Sequence, residues 1–190
     1  YDSLSEFSFH ISGPLMMVYW LRDLKFDYIE LAILINVSQI LGLFSMRYWG
    51  KRIDNDGSYS TIRFTSFCIA ILPVSWVGIY YLPIELSLAG SIIIASIASL
   101  MFSGRALALD NRLYEHMKNK KMIKVTSKRV FFRGLSIFIG GLIGGLLTKN
   151  ESSISIFIKL DTVIHAVMAF STVLRLGVWS YFLIDKKIKI

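Results

Sequence analysis

Apolar stretches about as long as a bilayer is thick recur along this chain, and no other feature restricts its fold so strongly. A helix needs about 20 apolar residues to cross the hydrocarbon. Six segments approach that length: Leu4 to Leu21, Tyr28 to Tyr48, Thr61 to Leu82, Glu85 to Leu109, Arg129 to Leu147 and Asp161 to Ile184. Of the 190 residues, 54% are hydrophobic and only 18% charged, which leaves too little polar surface for a soluble domain of this size. The expected fold is therefore all-α: a polytopic membrane protein, with residues 1–190 forming one six-transmembrane-helix bundle.

The segments differ in character. The first is interrupted by Glu6, Ser8, His10, Ser12, Gly13 and Pro14, a pattern suited to a helix lining a cavity more than one facing lipid. Trp20, Trp49, Tyr80 and Tyr81 stand near segment ends, where amphipathic rings prefer the headgroup level. About sixteen Lys and Arg residues fall in the connection after the second segment, around the one between the fourth and fifth, and in the tail. About four (Arg22, Lys25, Lys149 and Lys159) fall on the other side, so the basic connections and both ends of the chain are expected in the cytoplasm, in the cell membrane. The connection from Thr148 to Lys159 is expected to be a solvated loop. Tyr1 to Trp20 lacks the basic start and small-residue cleavage site of a signal peptide, and the chain does not begin with Met, so a longer protein is expected.

Several function classes fit poorly. The net charge of +8 is accounted for by cytoplasmic connections, and no basic run is interleaved with aromatics in the manner of a nucleic-acid module. Cys68 has no partner cysteine and lies in an apolar stretch, where it reads as packing. The histidines His10, His116 and His165 lie on different segments, and no His-Glu-x-x-His occurs, so no metal site or cofactor is expected. Ser103-Gly104 lacks the glycine of a serine-protease elbow, Met101 standing in its place. An enzyme is not expected.

Between the second and third segments the sequence reads Trp49-Gly50-Lys51-Arg52-Ile53-Asp54-Asn55-Asp56-Gly57, with Arg63 following. Glycines flanking a carboxylate suit a tight turn whose acid meets a helix N-terminus, with cations nearby holding it at an anionic leaflet. This stretch resembles the loop Gly-x-x-x-Asp-x-x-Gly of the major facilitator superfamily, matched at Gly50, Asp54 and Gly57. The fuller form has a basic residue after the aspartate and a basic pair after the second glycine, where this chain has Asn55, Ser58 and Tyr59. Phe102 to Asn111 is similar to the small-residue-rich end of the tenth helix in one branch of the superfamily, and Gly134 to Leu147 to the eleventh. The resemblance implies the carboxy-terminal half of a twelve-helix secondary transporter, with a missing amino-terminal half as partner and a small solute of unspecified identity as substrate. Other readings of the chain are a membrane scaffold or sensor, and a six-helix half-transporter that dimerises.

Candidate functional residues follow, each with a plainer alternative. Asp54 is either a cytoplasmic latch, as the resemblance implies, or the start of a helix. Glu6 and His10 share a helix face with Gly13 and Met17, and either line the central cavity that the resemblance implies, or stand as a residue at the cytoplasmic end (Glu6) and a satisfied packing residue (His10). Asn36 and Gln39 are candidate cavity residues, although helix–helix bonding is the more common use of such a pair. Arg105, Asp110 and Asn111 are a candidate cytoplasmic gate, Arg105 also serving as a positive-inside anchor. Arg175 has the length to snorkel to the headgroups and is assigned no chemistry. Gly140, Gly141, Gly144 and Gly145 form two Gly-x-x-x-Gly pairs suited to close helix approach, without the Lys-Ser/Thr of a phosphate loop.

Overall fold

The computed structural model describes residues 1–115, 119–149 and 163–184, and every regular element among them is a helix. We number them α1 (Asp2–Ser12), α2 (Leu15–Val18), a π-helical turn (Tyr19–Asp23), α3 (Tyr28–Tyr80), α4 (Ile84–Glu115), α5 (Asn119–Lys149) and α6 (Val163–Ile184). His116, Lys118, most of the expected solvated loop from Thr148 to Lys159, Asp161 and residues 185–190 lie outside the described residues. Among the described residues four helices are long and apolar enough to cross a membrane: α3, α4, residues 123–148 of α5, and α6. The protein is accordingly integral to a membrane.

The first segment is not the single helix that its length suggests. Gly13 and Pro14 form a turn between α1 and α2, because proline lacks the N–H that would bond the carbonyl of His10 and its ring crowds that carbonyl. The π turn at Tyr19–Asp23 then leads to α3, whose first residues are fixed by a capping box. The Glu30 N–H donates to Asp27 Oδ1 at 2.7 Å, and the Asp27 N–H donates to Glu30 Oε2 at 2.9 Å.

The tight turn expected from Gly50 to Gly57 is absent: the chain is helical through Asp56 and turns at Gly57 alone. Gly57 has φ +80° and ψ 157°, a conformation that side chains disfavour. Gly50 stays helical, next to the Arg52–Asp56 pair, 3.5 Å apart and four residues apart in sequence. Had α3 continued straight, its 53 residues would span about 80 Å. Instead Leu31 and Leu34 share a core with Trp76 and Ile79, so the two arms, 28–56 and 58–80, run side by side in opposite directions.

The other differences are of length. Helix α4 continues six residues past the expected Leu109, and α5 begins at Asn119, well before Arg129. Hydropathy marks what lies in lipid, and charged residues prolong a helix into water at no cost to its hydrogen bonding.

Helix α4 lies along α3, α1 lies between α5 and α6, and α6 also packs on α3. Three apolar clusters bind these elements. Tyr19, Phe26, Leu31, Leu34, Trp76, Ile79, Ile164 and Met168 close the end remote from Gly57. Ile53, Ile62, Ala108 and Phe182 close the Gly57 end, and Phe9, Ile69 and Leu72 lie between the two.

Candidate functional site: a charged cavity between α1, α3, α4 and α6

A cavity of about 450 Å³ lies beside the central cluster, lined by α1, the second arm of α3, α4, α5 and α6. Its apolar wall includes Phe9, Leu72, Pro73, Trp76 and Phe102, and its polar wall is Glu6, His10, Ser12, Arg105, Arg133 and Arg175. Gly13, Phe102 and Ala106 on the rim are exposed, so the cavity opens on one flank.

Glu6 is the hub of the polar wall. It is 4% exposed, and its carboxylate faces Arg105 at 3.3 Å and Arg133 at 3.2 Å. Arg105, itself buried, also donates to Asp2 Oδ1 at 3.4 Å and to the hydroxyl of Ser5. Asp2 in turn accepts from Arg129 at 2.6 Å, and Arg129 donates to Asp110 at 2.8 Å. Helices α1, α4 and α5 are thus tied by one chain of ion pairs on the Gly57 side of the cavity. His10 bonds the carbonyl of Glu6 through Nδ1 at 2.9 Å, one turn earlier in its own helix.

Arg175 enters from the middle of α6. Its Nε donates to Ser171 Oγ at 3.1 Å, Nη1 to the Ile69 carbonyl at 3.2 Å, and Nη2 to the Phe9 carbonyl at 3.3 Å and Ser12 Oγ at 3.0 Å. The Ile69 carbonyl is free to accept because the residue one turn on is Pro73, which has no N–H. The Arg175 and Arg105 guanidiniums lie 4.9 and 4.8 Å from the centre of the same Phe9 ring, a geometry in which the ring face attracts both.

The structure brings Glu6, His10 and Arg105 together at the cavity and places Asp110 one ion pair away from them, through Arg129. Asn111 lies further out, donating to Ser58 Oγ at 3.1 Å and Glu115 Oε1 at 3.2 Å. Asn36 and Gln39 do not reach the cavity. Both are exposed, and Asn36 donates to the Ala32 carbonyl of its own helix at 2.7 Å. Asp54 and Arg63 are exposed near the Gly57 corner, where the Arg63 carbonyl accepts from Trp179 Nε1 at 3.0 Å. Of the four glycines on α5, Gly140 and Gly144 face α1. A Cβ on Gly140 would come 2.6 Å from the Phe7 carbonyl, and one on Gly144 would overlap the Ile11 carbonyl. Gly141 makes only ordinary contact with Pro14, and Gly145 faces open space.

Sequence reading singled out Arg175 but missed its role at the cavity. It does not snorkel: it is buried and bonded to four groups on α1, α3 and α6. The available signal was a lone Arg halfway along an otherwise uncharged span, together with the serines of α1. Among the described residues no group of three or more His, Cys, Asp or Glu side chains is placed to hold a metal. Neither a family model nor a curated protein nor a solved structure matches this chain.

Proposed function

We propose that the chain forms the carboxy-terminal half of a secondary transporter that moves a small solute by alternating access, packed against an amino-terminal half of similar build. The observation that carries this reading is the cavity, which holds the buried Glu6, Arg105 and Arg175 inside a bundle of apolar helices. A charged group within a span costs about 2.5–3.5 kcal/mol on insertion scales, and such groups commonly mark a solute or ion pathway. Counting Asp2–Asp23 as one crossing and the arms of α3 as two, the chain crosses six times, as the resemblance to the major facilitator superfamily implies. The Gly57 corner and the basic α4–α5 connection then face the cytoplasm of the cell. The ion pairs from Glu6 through Arg105, Asp2 and Arg129 to Asp110 act as the cytoplasmic gate, parting when α4 and α5 move away from α1.

Alternating access can be tested before any solute is known. In the natural membrane, with Cys68 replaced by Ser, a cysteine at Ala98 on the cavity wall is exposed to an impermeant thiol reagent from either side. A transporter reacts from both sides, at rates that change in opposite directions when its conformational balance is shifted. Reaction from one side alone removes the transport reading and favours a scaffold or sensor.

A further inference from the structure

Charge around the cavity does not balance among the described residues. Three carboxylates (Asp2, Glu6 and Asp110) are paired with Arg105, Arg129 and Arg133, and Arg175 is the fourth guanidinium, with only neutral carbonyls and hydroxyls as partners. An uncompensated buried cation is unfavourable in a medium of low dielectric. Donors are also in surplus: a guanidinium has five N–H groups, and Arg175 makes four bonds. The Nε of Arg105, buried on the cavity wall, has no acceptor. Both groups flank Phe9, and Arg133 stands at the rim with its side chain 48% exposed. The facing wall of Leu72, Trp76 and Phe102 is apolar.

A cavity with excess guanidinium on one wall and aromatic surface on the other is complementary to a small carboxylate carrying an apolar group. We propose that this cavity binds a small organic monoanion, its carboxylate received by Arg175 and Arg105 and its apolar part laid against Trp76 and Phe102. This assignment of a substrate class rests on the transport reading above, while the binding itself does not require movement.

Binding is read from the fluorescence of Trp76 with the full chain in phosphatidylcholine nanodiscs titrated with benzoate, acetate or lactate, the Trp76→Phe variant identifying the signal. Expected is a saturable change with at least one carboxylate and none with benzyl alcohol or benzylammonium. Arg133→Gln, at the exposed rim, is expected to weaken it several-fold, and Arg175→Gln at least tenfold. If Arg175→Gln fails to fold, as judged by circular dichroism, the Arg133→Gln and neutral-analogue comparisons still decide. No saturation with any of the three carboxylates overturns the proposal, as does equal binding of benzyl alcohol. Loss of carboxylate binding in phosphatidylglycerol nanodiscs at constant ionic strength assigns the site to a lipid headgroup phosphate and overturns the solute. Carboxylate binding with one-sided Ala98→Cys reactivity keeps the anion site and removes transport. Two-sided reactivity without carboxylate binding does the reverse.

Discussion

Glu6 pairs with two guanidiniums at once, Arg105 and Arg133, and its removal would therefore be felt more than that of Arg133 at the rim. In Glu6→Gln, Arg105 would keep only Asp2, at 3.4 Å, as a charged partner while remaining buried. Breaking a buried pair in this way costs about 3–5 kcal/mol. The expected result is a fall in thermal midpoint that is large beside that of Arg133→Gln, whose half-exposed charge contributes about 1 kcal/mol or less. Thermal unfolding of the two purified variants in detergent makes the comparison, and equal midpoints would show that Glu6 does not act as the hub. At this scale the sequence was partly legible. The four-residue spacing of Glu6 and His10 put them on one face, and both line the cavity. The partners of Glu6 lie 99 and 127 residues away, on other helices, and no local rule specifies such a pairing.

Helix packing turns on which glycines lie under a neighbouring backbone. Gly140 and Gly144 let α5 approach the Phe7 and Ile11 carbonyls of α1, whereas Gly145 is open. Backbone cannot yield as a flexible side chain can, so Gly144→Ala is expected to destabilise the protein by about 1–3 kcal/mol through overpacking. Gly145→Ala should be neutral or slightly stabilising, since alanine is the better helix former. Loss of thermal stability in both variants alike would place the α1–α5 contact elsewhere. The sequence showed two overlapping Gly-x-x-x-Gly pairs but not which one meets a helix. That choice depends on the rotation of α5 about its axis, set by what packs around it. The break between α1 and α2 was written in Gly13-Pro14, while the reversal of α3 narrowed from an eight-residue motif to the positive φ of Gly57.

For the whole molecule, the doubling back of α3 has a consequence for topology. With arms 28–56 and 58–80 antiparallel, the proposed six-crossing topology puts the Gly57 corner and the turn at Tyr81 to Pro83 on opposite faces of the membrane. Single cysteines at Ser60 and Leu82, both exposed, report this directly in a Cys68→Ser background. Impermeant reagent is expected to label Leu82→Cys on intact cells and Ser60→Cys only after permeabilisation. Labelling of both from one side would mean that the second arm does not cross.

Sequence alone determined that the chain is helical and lives in a membrane, because run length and hydropathy are properties of consecutive residues and the bilayer thickness converts them directly into spans. It also marked the polar first segment as unsuited to lipid. Tertiary structure alone decided that Glu6, Arg105 and Arg133 form one ion cluster and that Asn36 and Gln39 stand outside the cavity. It alone placed Arg175 against the Ile69 carbonyl left free by Pro73. These are meetings between residues far apart in the chain, set by how each helix is rotated about its axis, which no window short enough to read by periodicity encodes.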